Sequence, residues 1–426
     1  MSLRAADEAV EMESVESFRL RARAWLKENF PRETRLDDWP PRADSDEGVL
    51  AAVNLARERQ RMLFDGGFAG VCFPKEYGGL GLTPEHQYAL NKEIAGYAVP
   101  RVMQIPSFVP CAAVLLEFGT EEQKRRHLPA ILRGDEIWMQ LLSEPGGGSD
   151  VAGALTSAVR DGDEWILNGS KIWTSGAWFS DYGLCLVRTN WDVPKHRGLT
   201  VFIVDLRAPG VDVQQLEMIN GSREFCQEFF TDVRLSDSDR VGAVDEGWTV
   251  GTRWMFHEKN ALGGGSPFVT GGVLVTAFEN ADRTNLEIAR AIGHLDDPAT
   301  LVLIGESHML DLARSALLER VRAGMAAGAL PESAAALIRL QAIVVAERHV
   351  NIALELAGGQ AVATLDDCPW ADAGFAYLER QVTSIGGGTT EMARTNIAER
   401  VLGMPREITH DKHLAFRDVP KGPSRK

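Results

Sequence analysis

Along the first third of the chain, apolar residues recur at helical spacing. Val15, Phe18, Ala22, Trp25 and Leu26 fall on one face with charged residues between them, which predicts an amphipathic helix. A second helix is expected over 49–64, stopped by Gly66-Gly67. Thr83-Pro84 reads as an N-cap followed by proline at the first helical position, opening a helix over 84–95. Thr120-Glu121-Glu122-Gln123 has the form of a capping box for a helix that ends at Gly134. The stretches 74–83 and 100–110, rich in Gly and Pro, read as loops.

The period changes near residue 139. Segments 165–167, 172–175, 184–189, 200–206 and 228–233 are short and apolar or alternating, with the turn signals Asp161-Gly162 and Asn168-Gly169 between them. From Gly247 onward the helical period returns over 248–262, 298–325, 331–357 and 389–402. It is clearest in Leu337, Leu340, Val344, Val345, Ile352, Leu354 and Leu356. Long helices broken briefly by Gly or Pro suggest a bundle. The tail after about Phe416 reads as disordered. The expected fold is therefore a multidomain α+β protein. An N-terminal helical domain covers 1–138, a middle antiparallel β-domain 139–245, and a C-terminal helical bundle 246–426. Strands do not alternate with helices, so the glycine clusters are not dinucleotide fingerprints of a Rossmann sheet.

Composition narrows the chemistry. The net charge is −15, which argues against broad nucleic-acid binding and against docking on anionic lipid. A hydrophobic content of 45% with 25% charged residues is ordinary for a globular protein and excludes a disordered chain. Cys72, Cys111, Cys185, Cys226 and Cys368 are scattered, odd in number and without a CxxC pair, which points to reduced thiols and no structural zinc. No run approaches the roughly 18 apolar residues of a membrane helix, and the N-terminal stretch lacks the apolar core of an export signal. A cytoplasmic protein acting on a small molecule is the expectation. His410-Asp411-Lys412-His413 matches a metal pair in spacing only. With no third ligand in a polar tail, it reads as solvated, and no metal is expected.

Two stretches carry chemistry. Ser143-Glu144-Pro145-Gly146-Gly147-Gly148-Ser149-Asp150 has glycines that let backbone N–H groups approach a flat or phosphorylated ligand. Asn168-Gly169-Ser170-Lys171-Ile172-Trp173-Thr174-Ser175-Gly176 puts an aromatic and a hydroxyl on one strand. Trp173 and Ser175, two apart, are expected on one face. Read alone, the first is an ordinary turn as readily as a site, and the tryptophan is more often core than platform.

Together, in this order in an α–β–α chain, they resemble the acyl-CoA dehydrogenase flavoprotein family. Further matches are Phe229-Phe230-Thr231-Asp232-Val233, Leu356-Ala357-Gly358-Gly359 and Gly387-Gly388-Thr389-Thr390-Glu391. The resemblance implies FAD, with Gln140, Leu142 and Ser143 lining the flavin, Trp173 beside its ring and Ser175 near N5. It implies dinucleotide contacts from Gly358, Gly359, Thr389 and Glu391, partly across a subunit interface, and places Ser149 against the CoA moiety. The family's Arg-x-x-Phe-Gly segment survives only as Ala289-Arg290-Ala291-Ile292-Gly293, leaving Arg290 as a substitute. The activity implied is α,β-dehydrogenation of an acyl-CoA thioester, with electrons passing to an electron-transfer flavoprotein. The assembly implied is a tetramer, homomeric or heteromeric.

Such a reaction needs one carboxylate facing the flavin to remove the α-proton. In many family members it precedes the Gly-Thr of the last motif; here that position is Gly387. Either the base has moved or the subunit is catalytically silent. Branched-chain and long-chain members carry the base on the helix that opens the C-terminal domain, and gapless counting from Gly247 puts Glu258 there. Lys259 then stands where the family usually has arginine, as a substrate-binding residue. Glu258 also falls near the helix C-terminus, with Gly263 as the expected cap, where negative charge is disfavoured and basicity rises. The alternatives are a non-catalytic subunit of a heteromeric dehydrogenase and an oxidase that uses oxygen.

Overall fold

Side-chain caps start several helices of the N-terminal third. The computed structural model describes residues 12–32, 45–100, 104–262, 266–270, 281–361 and 371–420. Helix α1 (Val15–Asn29) begins at Ser14 and α2 (Asp46–Asp65) at Ser45, each hydroxyl accepting a backbone N–H three residues on. α3 (Pro84–Glu93) and α4 (Ala113–Phe118) follow. In α5 (Glu121–Arg133), Thr120 and Gln123 form the reciprocal box, and Gly134 closes the helix in the left-handed conformation, φ 80°. Phe18, Ala22, Leu26, Leu63, Phe68 and Leu90 are buried together as the core of this region. Residues 104–110, expected as part of a Gly- and Pro-rich loop, instead belong to wide helical turns over 104–112, mostly buried and broken by extended Ile105 and Val109.

Two compact units are present. The first takes the described residues up to Ile137 together with Ser266–Thr270; the second takes the rest. The 266–270 segment is stitched into the first unit by Phe268 on Phe73, with ring centroids 4.7 Å apart, and by Thr270, whose N–H donates to Gln104 Oε1 at 3.0 Å.

The second unit opens with a sheet of β1 (Trp138–Leu141), β2 (Ser157–Asp161), β3 (Glu164–Ser175), β4 (Tyr182–Arg188), β5 (Leu199–Asp205), β6 (Val211–Gln215), β7 (Phe225–Ser236) and β8 (Arg240–Val241). Its order is β6-β7-β3-β2-β4-β5-β8, with β1 beside β4. The sheet is antiparallel except that β1 runs parallel to β4 and β2 meets β4 in parallel at one register, Ser157↔Arg188. The forty residues between β1 and β4 include a complete β2–β3 hairpin, enough chain for the crossover a parallel pair requires. Leu167, Cys185, Val187, Phe202, Val204 and Val233 are buried in its core.

Helix α6 (Gly247–Leu262) leads out of the sheet. A Cβ at Gly247 would lie 2.6 Å from the Thr200 nitrogen and 2.7 Å from the Leu199 carbonyl, so only glycine lets α6 start this close to β5. Then come α7 (Ala281–Ala291), α8 (Pro298–Ala326), α9 (Ala335–Ala357), α10 (Ala371–Glu379), α11 (Val382–Ile385) and α12 (Thr390–Asn396). α9 packs against α7, α8, α10 and α12. The turn at Glu332–Ala334, expected inside the long helix, is 3-10, and past Asn396 the last helix widens over Ile397–Val401. Gly263 and Cys368 lie outside the described residues. Among the described residues no helix is long and apolar enough to cross a membrane.

The stretch expected to be disordered begins at about Phe416; its first residues, to 420, are described, and 421–426 lie outside the described residues. Phe416 is buried, stacked on Trp191 at 5.6 Å and 27°, within a 3-10 turn at Phe416–Asp418. One aromatic with a prepared seat anchors the chain at the edge of that stretch.

Candidate active site

Asp245 sits at the junction of sheet and α6 in a left-handed conformation, φ 65°. Its carboxylate accepts from Thr189 Oγ1 at 2.6 Å and Asn190 Nδ2 at 2.9 Å, and its N–H donates to Thr200 Oγ1. With Gly247 pressed on β5, this fixes the direction of α6. Trp254 and Glu258, four residues apart on that helix, then share a face.

Gln140 of β1 joins them. Its Oε1 accepts the Trp254 indole N–H at 2.8 Å, and its Nε2 donates to Glu258 Oε1 at 3.0 Å. An indole can only donate, so it sets which end of the Gln140 amide faces the carboxylate. Glu258 keeps some accessible surface, but burial of its carboxyl drives the pKa up. The Gln140 hydrogen bond and the charges of Lys259 and Arg339 offset part of that rise. The result is a partly desolvated carboxylate, held in one orientation and more basic than an ordinary glutamate.

Arg339 comes from α9. Its Nη2 donates to the Thr383 carbonyl at 2.9 Å and to the Gly386 carbonyl, tying down the loop before α12. Gly387 and Gly388 in that loop have φ of 70° and 105°. Glu391, in the first turn of α12, contrasts with Glu258. It is exposed, and its own backbone N–H and the Thr390 and Thr389 hydroxyls hold its pKa down. Thr389 caps the helix by accepting the Met392 N–H. A carboxylate so stabilised in its charged form is a weak base.

The two sequence stretches are bolted together inside the protein. Fully buried Lys171 donates to Glu144 Oε1 at 2.9 Å and to the Leu142 carbonyl at 3.1 Å. Glu144 also accepts the N–H groups of Leu155 and Thr156, and the Ile172 N–H donates to the Ser143 carbonyl. Burial pushes the Glu144 pKa up, but the Lys171 charge and these hydrogen bonds outweigh it and hold it down. Gly146 and Gly147 meet nothing within 4 Å of an added Cβ, and Ser149 is exposed. The motif backbone thus borders a small open recess with Leu142, Glu144, Asp150 and Ala154 around it.

Trp173 is 54% exposed with φ 67°, and Phe225 meets its ring edge-on at 5.9 Å. Simple alternation would put Lys171, Trp173 and Ser175 on one face. A register shift against β7 between Ile172 and Thr174 overrides it: Lys171 points inward, Trp173 is open and Ser175 is half-buried. Thr174 turns inward to donate to Glu228 at 3.0 Å. Gly358 has φ 57°, and neither it nor Gly359 has an atom within 4 Å of an added Cβ. Arg290 and Lys259 are exposed. Of the residues singled out by sequence, Gln140 meets Glu258, and Thr389 meets Glu391. Trp254, Arg339, Glu144 and Lys171 were missed. The i, i+4 spacing of Trp254 and Glu258 was the available signal for the first.

Sequence models of the acyl-CoA dehydrogenase N-terminal, middle and C-terminal domains match residues 13–135, 140–233 and 245–402. The chain is 32% identical over 408 residues to the acyl-CoA dehydrogenase IpdE1 of Mycobacterium tuberculosis, covering 93% of this chain and 99% of that one. Against the acyl-CoA dehydrogenase FadE34 of the same organism, identity is 33% over 350 residues. That match covers 82% of this chain but 46% of FadE34, so the chain spans about half of that relative. A solved structure described as the Tcur3481-Tcur3483 steroid ACAD superposes with a TM-score of 0.69 at 28% identity, covering 93% of this chain and 99% of that chain.

Proposed function

The chain belongs to the acyl-CoA dehydrogenase family, and from that premise we propose that it forms the α,β-double bond of an acyl-CoA thioester, with FAD as oxidant and an electron-transfer flavoprotein as electron acceptor. The observation that carries this reading is the Trp254–Gln140–Glu258 chain, which holds a carboxylate of raised pKa in a fixed orientation. In this mechanism Glu258 takes the α-proton of the thioester. Removing a proton this weakly acidic requires a base more basic than a solvated carboxylate, and burial of Glu258 supplies the difference. A flavin held by these residues would supply the two-electron acceptor for the hydride that leaves the β-carbon.

The chain's own residues suit a flat aromatic cofactor. Trp173 is 54% exposed on a left-handed backbone, φ 67°, and Gly358 and Gly359 allow close backbone approach. In this reading Gln140, Leu142, Ser143, Trp173 and Ser175 line the flavin. Gly358, Gly359, Arg290, Thr389 and Glu391 serve its dinucleotide end, in part toward a neighbouring subunit. Ser149 and Lys259 face the substrate, and the recess beside the Gly-rich motif leads toward it. Among the described residues, Cys72, Cys111, Cys185 and Cys226 are not in disulfides, which is compatible with a reducing compartment.

The test is direct. Purified protein should be yellow and should bleach anaerobically with an acyl-CoA, and the screen should include bulky ring-bearing thioesters because a solved relative is described as a steroid ACAD. No bleaching with any thioester in a flavin-loaded protein would overturn the reading in favour of a silent subunit, for which Gly387 speaks.

The assembly is proposed to be a tetramer, with a homomer or heteromer left to the measurement. Its support is α8, where Leu301, Val302, Met309 and Leu312 are all exposed, Val302 at 69% and Leu312 at 58%. Apolar side chains open along a 29-residue helix need a covering surface. Sedimentation of the flavin-loaded protein should give about four chains per particle; a fully active monomer would refute it.

A further inference from the structure

Residues after 402 lie beyond the family's C-terminal domain match, yet the tail is built into the sheet region. Phe416 N–H donates to the Val193 carbonyl at 2.9 Å and Arg417 N–H to the Trp191 carbonyl at 3.1 Å, while the Arg417 side chain pairs with Asp192. The Phe416 ring covers the Arg188 guanidinium, 4.0 Å from its carbon to the ring centroid.

Arg188 is fully buried at the end of β4, and burial pulls its pKa down to about 10. Its donors go to backbone carbonyls: Nη2 to Ala152 at 2.6 Å, Nη1 to Lys195 at 2.6 Å and Nε to Ala154 at 3.4 Å. Ala152 lies in the Val151–Gly153 turn that follows the Gly-rich motif. Lys195, whose carbonyl is the second acceptor, sends its ammonium to Asp150 at 2.8 Å. Asp150 and Ser149 end the motif. A continuous set of contacts therefore runs from the tail, through one buried cation, to the loop beside the recess. A desolvated guanidinium held by neutral carbonyls leans on what else faces it, here the Phe416 ring at 4.0 Å and, farther off, the Trp191 ring at 6.0 Å, with the charges of Glu144, Asp150 and Asp245 offsetting part of the burial.

Building on the acyl-CoA reading above, we propose that residues 411–420 are a strap that sets the loop 149–154 for binding the CoA thioester. In it Phe416 is a positioning residue that acts through Arg188. Losing Phe416 leaves Arg188 open to water, loosens its grip on Ala152 and Ala154, and weakens thioester binding. The proton-abstraction step stays as it was, because the Trp254–Gln140–Glu258 chain is built from other elements.

The experiment uses the full-length, flavin-loaded protein with Phe416→Ala, Phe416→Trp and, as a milder second lesion, Trp191→Ala. Two readouts are taken: steady-state kinetics with an acyl-CoA that bleaches the wild type, and amide hydrogen exchange over 149–156 without substrate. Phe416→Ala should raise KM about tenfold, roughly the effect of losing a cation–π contact. It should leave kcat within about twofold, keep flavin content, and speed exchange in the loop. Phe416→Trp should restore both readouts, and Trp191→Ala should move both the same way by less. Unchanged KM together with unchanged exchange overturns the strap, as does a parallel loss of kcat and flavin, which marks a merely structural role. If Phe416→Ala does not fold, Trp191→Ala decides by the same two readouts. If the wild type bleaches with no thioester, the dehydrogenase reading fails, and the exchange arm alone decides whether the tail holds the loop.

Discussion

Glu258→Gln is expected to slow substrate-dependent flavin bleaching by at least about 10²-fold, the low end of a general-base contribution. The substitution keeps the size of the side chain, and its amide can still meet Gln140, so folding and flavin content should be retained. It removes only the basic oxygen. The pH profile gives a second check. Desolvation raises the Glu258 pKa above that of an ordinary glutamate, so in the wild type kcat/KM should rise with pH through a limb displaced upward from the usual carboxylate range. That limb should be missing from whatever activity the variant retains. Rapid bleaching in Glu258→Gln would transfer the role to another carboxylate. Glu391, exposed and with its pKa held down, is the next to test.

Lys171→Met should cost about 3–5 kcal/mol of stability, the range for removing one partner of a buried ion pair. The methionine fills most of the volume but leaves Glu144 as a buried carboxylate served by the N–H groups of Leu155 and Thr156. Lys171 also stands opposite Glu228 in the β3–β7 register. Burial pushes Glu228 to about 8, from an ordinary 4.5, with the Thr174 hydrogen bond and the Lys171 charge holding it back. A carboxyl raised in the folded state keeps a proton that the unfolded chain releases. Stability should therefore decline as pH climbs from about 4.5 to about 8, and be insensitive to this group outside that window. Glu228→Gln, which mimics the protonated form, should match the wild type near the acid end and exceed it increasingly toward pH 8. Lys171→Met removes a charge that holds the Glu228 pKa down, so it should carry the decline to higher pH and enlarge the drop between about pH 5 and about pH 8. Urea unfolding at about pH 5 and about pH 8 measures all three, and a Lys171→Met midpoint equal to wild type would remove the pair from the list of stabilising contacts.

What could be read from the chain was what is decided locally. The Thr120–Gln123 box and the Gly134 stop involve residues three to fourteen positions apart, and both are present where expected. α6 was legible from its period, and Gly247 marks its start because the sheet leaves no room for a side chain. The inversion at Trp173 was not legible, because a bulge depends on how β3 registers against β7 fifty residues later. The amide that orients Glu258 comes from 118 residues upstream, and no periodicity reports such a meeting. Family resemblance marked Gln140 as a flavin-lining position and said nothing of its bond to Glu258. The seat that Trp191 and Arg188 make for Phe416, at the edge of the stretch expected to be disordered, escaped for a similar reason.

Gly387 bears on how such proteins diverge. Its φ of 70° is natural for glycine, whereas a residue with a side chain gives up about 1–2 kcal/mol there. A lineage with its carboxylate on α6 cannot return it to the last motif by one substitution at no cost, because the new glutamate meets a backbone already set against it. On the proposed reading of Glu258 as the base, losing it first would leave no base at either place. Both single steps lead downhill, so exchange of the two arrangements requires coordinated changes in loop and helix. Ancestry, once committed to one placement, acts as a ratchet, and family trees should split cleanly along it.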